Sequence, residues 1–241
     1  MNRCIRVCNN EVEKIPQDKY SSKMSSTYKI SVIKEGYSFM TETGSMRACG
    51  SVTLVYGKFN VLVDTGGPWD TESIIEGLRK HGLTPDEMHY VVGTHGHSDH
   101  IGNLNLFKKA TQIVGYDICQ GDNYLMHDFR HQDIPFEIDD DLVQVIPTPG
   151  HTESCVSVVV KDTNLGTVVV AGDLFEKKED LEEPELWQSS STNPDLQLQN
   201  RIEILRMADV IVPGHGPMFQ VPDAHKRSSS FVMYADQDEL I

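Results

Sequence analysis

Four apolar runs in this chain each stop at a short glycine-containing loop that carries histidine or aspartate. They are VVGTHGHSDH at 91–100, VIPTPGH at 145–151, VVVAGD at 168–173 and VIVPGHG at 210–216. Such runs are rich in β-branched residues, so they read as strands, punctuated by the Gly and Pro that follow. Loops leaving strand ends are where open sheets place their sites, and this pattern lets four loops converge.

The remaining segments fit around those strands. From Tyr28, YKISVIKEG alternates as a strand; CGSVTLVYG at 49–57 and NVLVDTGG at 60–67 follow, with Gly57-Lys58 suggesting a hairpin between them. DTESIIEGLRKHG at 70–82 places Ile74, Ile75 and Leu78 at helical spacing, with acids in the first turn, bases in the last and Gly82 after it. HYVVGTH reads as a strand, IGNLNLF at 101–107 as a short helix and TQIVGYD at 111–117 as a strand. CVSVVV and TVVVAGD form a second hairpin around an Asn-containing turn, and LQNRIEILRMA at 198–208 is a helix before the last strand. This alternation gives an α/β domain over 27–220, with a flexible leader at 1–26 and a tail at 221–241.

Charge narrows the function classes. Against 36 acids stand 21 bases, a formal charge of −15, which disfavours a broad nonspecific nucleic-acid surface and any expectation of DNA as partner. Two acidic stretches, 122–141 and 174–200, read as solvated loops. No apolar stretch is long enough to span a bilayer, and the polar start MNRCIRVCNNEVEK does not read as an export signal, so the expected location is the cytosol. The five cysteines, Cys4, Cys8, Cys49, Cys119 and Cys155, lack metal-type pairing and read as free thiols; Cys155 opens a strand and reads as buried rather than nucleophilic.

The chemistry lies in His95, His97, Asp99, His100, His151, Asp173 and His215. Neutral imidazole and ionised carboxylate are good ligands for zinc or iron. Five histidines and two aspartates exceed one four-coordinate site, whereas two metals sharing a carboxylate use all seven and leave room for a bridging water. The other histidines, His81, His89, His127, His131 and His225, read as packing or turn-capping residues.

THGHSDH, TPGHT, AGD and PGHG, in this order, resemble the successive metal motifs of the metallo-beta-lactamase superfamily over about residues 27 to 220. The resemblance implies an αβ/βα four-layer sandwich of two mixed β-sheets flanked by helices. It assigns His95, His97 and His151 to one metal, Asp99, His100 and His215 to another, and Asp173 to the bridge between them. The expected cofactors are two divalent ions, zinc first, with iron and manganese open to the same donors. Asp64, in VLVDTGG, matches the family's early aspartate and would either orient the histidine loop by hydrogen bonds or cap its own turn.

No cysteine falls in a metal loop, so the pattern is similar to glyoxalase II and ribonuclease Z rather than to antibiotic-hydrolysing members. The implied reaction is hydrolysis by a metal-bridging hydroxide, with Asp99 orienting the attacking water and accepting its proton. A small relative with little beyond the core domain implies endoribonucleolytic processing of histone pre-mRNA 3′ ends, with RNA as partner, nuclear access and a homodimer. The acidic composition opposes that, so RNA would need a local basic patch, for instance at Lys108 and Lys109. The alternatives are a thioester or other small-molecule hydrolase, and a metal-dependent binding protein without turnover.

Overall fold

A computed structural model describes residues 28–129 and 134–227. The expected leader, Cys4, Cys8, His131 and the tail beyond 227 lie outside the described residues. The strands are β1 (Lys29–Lys34), β2 (Tyr37–Met40), β3 (Met46–Cys49), β4 (Val52–Tyr56), β5 (Asn60–Val63), β6 (Tyr90–Gly93), β7 (Thr111–Val114), β8 (Asp117–Gln120), β9 (Asn123–Leu125), β10 (Phe136–Asp139), β11 (Val143–Pro147), β12 (Val156–Thr163), β13 (Gly166–Gly172), β14 (Val210–Pro213) and β15 (Phe219–Gln220). The helices are α1 (Thr71–Lys80), α2 (Glu185–Gln188), α3 (Pro194–Met207) and α4 (Asp223–Arg227).

Two mixed sheets stack face to face. One is ordered β1-β4-β5-β6-β7-β8-β9 and the other β10-β11-β12-β13-β14-β15, while β2 and β3 form a separate hairpin between β1 and β4. Period-two alternation sorts each apolar run onto both faces. Val55, Val61, Val63 and Val92 meet Val156, Val158, Val168, Val170 and Val212 between the sheets. Leu54, Leu62 and Val91 face outward onto Ile74 and Leu78 of α1, and Val159, Val169 and Ile211 face outward onto Ile204 and Leu205 of α3. Helix, sheet, sheet and helix are therefore the four layers of a metallo-beta-lactamase fold. Each fully buried Val, Leu or Ile contributes about 1.5–3 kcal/mol, which makes this double-faced burial the main stabilising term.

Strand direction aligns the loops. β5 and β6 run parallel, as do β13 and β14, and β11 runs with β13 because each pairs antiparallel with β12. The loops after β5, β6, β11, β13 and β14 thus leave from strand ends of the same sense. The sheets touch there: Thr94 accepts from the Val156 N–H through its carbonyl, and Gly172, at φ +54°, packs so close to Thr94 that a Cβ would lie 2.4 Å from Oγ1.

Several local expectations are corrected. Ile75 is 41% exposed, because α1 turns only Ile74, Gly77 and Leu78 inward. IGNLNLF forms only a 3-10 turn at Leu104–Leu106; the Gly102 N–H donates to Gly66 and the Asn103 side chain donates to Thr65 and Gly67, which pins the backbone away from α-helical bonding. TQIVGYD is a strand, a turn at Gly115 and the start of β8. The acidic stretches hold β9, β10, α2 and a 3-10 turn at Lys178–Leu181 rather than loop alone. α3 starts four residues earlier than its apolar pattern, where Asn193 accepts from the Leu196 N–H and Pro194 opens the first turn. The stretch read as a tail begins with α4, whose Lys226 pairs with Asp209 at 2.6 Å.

A buried polar girder supports the loop after β13. Arg201 of α3 pairs with Asp180 at 2.7 Å, donates to the Leu174 carbonyl at 2.7 Å and lies over the Phe175 and Trp187 rings. Removing the cation strands a buried carboxylate, so Arg201→Ala is expected to lower stability by about 3–5 kcal/mol in chemical denaturation. Arg206→Ala, which removes only an exposed pair with Glu203, leaves the unfolding midpoint nearly unchanged.

Candidate metal centre

The loop after β6 winds tightly enough to aim four side chains at one point. Its anchor is Asp64, held at φ +60° just past β5. Asp64 accepts from the Thr94 N–H at 2.7 Å and the Thr94 hydroxyl at 3.0 Å, and its Oδ2 lies 2.8 Å from His100 Nδ1. These contacts tie Asp64 to the histidine loop, the geometry that its orienting reading requires. A carboxylate beside Nδ1 keeps the proton there and leaves Nε2 free to bind. His215 is set the same way: its Nδ1 lies 3.1 Å from the Cys49 carbonyl, which can only accept.

All seven residues singled out in the sequence meet. Nδ1 of His97 lies 2.8 Å from His95 Nε2 and 3.2 Å from His151 Nε2, and Asp173 Oδ2 is 3.6 and 3.3 Å from the same two nitrogens. On the other side of Asp173, His100 Nε2 and His215 Nε2 are 3.5 Å apart, each 3.2 Å from an Asp173 oxygen, with Asp99 Oδ2 3.9 to 4.0 Å from both. Tetrahedral ligands at about 2.0–2.1 Å from zinc stand about 3.3 Å from one another, so the first group matches the edges of such a site. Asp173 Oδ1 and His151 Nδ1 are buried without a hydrogen-bond partner among the described residues, a cost that a cation bound to Asp173 would offset on its side.

Burial and charge act in opposition here. Burial disfavours protonation of His95, and its histidine neighbours reinforce that against Asp173, holding it well below the usual imidazole range. Burial also opposes a charge on His100 and His215, but Asp173 overrides it; with Asp64 it raises His100 well above the ordinary value, and His215 rises to about 9. Asp173 is held well below the usual carboxylate range, its burial outweighed by His100, His215 and His95. A divalent cation would take over the role those protons play.

The sequence reading missed Glu176. It is 6% exposed, its Oε2 lies 3.8 Å from His215 Nε2, and burial beside Asp173 pushes its carboxyl up to about 7. Cys155 is buried, accepts from the Thr152 N–H, and burial raises its thiol to about 11, which suits a packing role. His81, His89, His127 and His225 lie outside the cluster, against Ser31, Asn60, Ile134 and Glu182. The centre opens to solvent at Gly96, His97 and Ser98, and Asp99 is half-buried beside that mouth.

Next to it stands the β2–β3 hairpin. Cys49 ends β3, and the Gly50 N–H donates to the Asp99 carbonyl at 3.2 Å, so hairpin and metal loops share backbone bonds. Tyr37, Met46, Arg47, Ala48 and Trp69 line a groove of about 410 Å³. Lys109, one of the two expected basic-patch residues, is paired with Asp86 at 2.7 Å.

Residues 49–215 match the family model described as the metallo-beta-lactamase superfamily. The chain is similar to metallo-beta-lactamase domain-containing protein 1 of Xenopus laevis, 46% identical over 197 residues that cover 81% of this chain and 83% of that protein. It is also similar to the Homo sapiens protein of the same name, 41% identical over 224 residues, covering 80% and 82%. Among solved structures, it resembles an N-acyl homoserine lactone hydrolase with N-hexanoyl-L-homoserine bound at its catalytic metal centre. The TM-score is 0.60 at 19% identity, with 80% of this chain and 94% of that one covered, a likeness of fold.

If Asp64 fixes the tautomer and position of His100, Asp64→Asn is expected to weaken metal binding by about 10–100-fold with the fold retained. Competition titration against a chromophoric chelator, beside circular dichroism, reads both; unchanged affinity would assign Asp64 to turn geometry alone.

Proposed function

The chain belongs to the metallo-beta-lactamase superfamily and is a metal-dependent hydrolase with a buried His/Asp metal-site cluster; from that premise we propose that it holds two divalent cations, zinc first, and cleaves RNA phosphodiesters, with histone pre-mRNA 3′ ends as substrate. The observation that carries the two-cation reading is the position of Asp173, which lies between the His95, His97, His151 group and the Asp99, His100, His215 group. Bound there, divalent cations lower the pKa of water toward neutrality and stabilise the charge that develops on the attacked group. The chain's own part is to hold the donors rigid, to orient the attacking water through Asp99 at the mouth, and to take its proton on that carboxylate.

RNA as substrate is supported by the resemblance of the motifs and by the chemistry of the adjacent groove. Trp69 is 67% exposed, Tyr37 lies nearby, and Arg47 sits with them. Aromatic faces on which bases stack, beside a guanidinium that meets a base face or a phosphate, are part of how single-stranded nucleic acid is bound. A second reading, hydrolysis of a thioester, lactone or other small apolar carbonyl compound, is favoured by the formal charge of −15 and by exposed Phe39, Met40 and Met46 on the same hairpin.

The test is cleavage of a labelled histone pre-mRNA 3′ fragment beside a thioester and lactone panel, using metal-analysed protein. Wild type is expected to cut the RNA and His97→Ala to leave it intact. Trp69→Ala should weaken RNA binding by about 5–150-fold, the equivalent of about 1–3 kcal/mol per stacked base. Intact RNA together with turnover of a carbonyl substrate would overturn the nuclease reading in favour of the second one.

A further inference from the structure

Glu176 lies three residues beyond Asp173 on the loop after β13, and its carboxylate is built into the metal cluster rather than into a surface ion pair. Its Oε2 is 3.8 Å from His215 Nε2, and Asp99 Oδ2 is 3.9 Å from the same nitrogen. Asp173, Glu176 and His215 each present a ligand atom within 4.8 Å of the others. The backbone fixes this placement: the His215 N–H donates to the Glu176 carbonyl at 2.8 Å, the Gly214 N–H to the Phe175 carbonyl at 2.9 Å, and Asp180 accepts from the Glu176 N–H at 2.7 Å. Ser190 donates to Oε1 at 3.1 Å, which leaves Oε2 turned toward His215.

No Lys or Arg among the described residues forms an ion pair with Glu176. Two carboxylates, Asp173 and Glu176, are buried at 4% and 6% exposure, each facing an imidazole of His215, and Asp173 Oδ1 has no hydrogen-bond partner among the described residues. Burying carboxylates without a compensating cation is costly. Glu176 shares His215 with the Asp99, His100, His215 group and stands with Asp173 as well, so its Oε2 is a further carboxylate oxygen on the His215 side of the cluster.

We propose that Glu176 is a ligand of the second cation, which makes that position richer in carboxylate than the first and so the better suited of the two to a harder ion such as Mn2+, beside a first position of three histidines that suits Zn2+. This rests on the two-cation reading above. Donor type is the physical reason: carboxylate oxygens suit manganese, and imidazole suits zinc.

The experiment strips the full-length chain of metal, loads one equivalent of Zn2+ and titrates Mn2+, reading loss of the free six-line electron paramagnetic resonance signal. Glu176→Gln keeps the size and an acceptor for Ser190 while removing the charge, and is expected to weaken the Mn2+ equivalent by about 10–100-fold without changing Zn2+ uptake. Glu179→Gln, which removes an exposed charge from the same loop, should bind both ions as wild type does. Unchanged Mn2+ affinity in Glu176→Gln overturns the assignment of Glu176 alone. A wild type that takes up only one ion in total overturns the two-cation reading and this inference with it.

Discussion

Asp173 is 4% exposed and lies 3.2 to 3.6 Å from ring nitrogens of His95, His100, His151 and His215, which arrive on three different loops. A carboxylate so placed can be buried only if every one of those loops comes to it, and that requirement orders the rest of the molecule. β6, β11, β13 and β14 must end on one side, the sheets must touch near Thr94 and Gly172, and the loop after β13 must be held from behind. The last task falls to Gln197 and Arg201 of α3: Gln197 donates to the Asp173 carbonyl at 2.9 Å, and Arg201 locks Asp180. Helix packing and site geometry are thus one structure.

The same carboxylates explain how an acidic chain serves a hydrolytic site. Asp64, Asp99, Asp173 and Glu176 gather around the histidines, and two divalent ions would balance their four charges. Away from that centre, Glu179, Glu182, Glu183 and Glu185 stand at exposed positions between β13 and α3, where water solvates them at little cost, while Asp180 is buried on Arg201. The groove under the β2–β3 hairpin differs from that surface, with Arg47 beside Tyr37 and Trp69.

What could be read from the sequence followed from how far each signal is local. The four apolar runs were legible as strands, and the four-layer fold as what the resemblance of the metal motifs implied; Val61, Leu62 and Val63 show the layering by facing in, out and in. The convergence of His95, His97, Asp99, His100, His151, Asp173 and His215 was visible because each follows a strand directly. Glu176 was hidden in LFEKKEDLEE, a charged stretch that reads as a solvated loop and in which only tertiary packing buries it. β2 and β3 were missed because YSFM and MRAC alternate poorly and leave Phe39, Met40 and Met46 exposed, so no core pattern marks them. Ile75 misled for the opposite reason: an apolar residue at near-helical spacing faces water.

Whether one buried aspartate organises two cation positions is tested most directly by anomalous diffraction from crystals of metal-loaded protein, collected at the zinc and manganese edges. The expected result is two peaks on opposite sides of the Asp173 carboxylate, about 3.5–4 Å apart as in two-metal hydrolytic sites. A single peak, or peaks remote from Asp173, would contradict it.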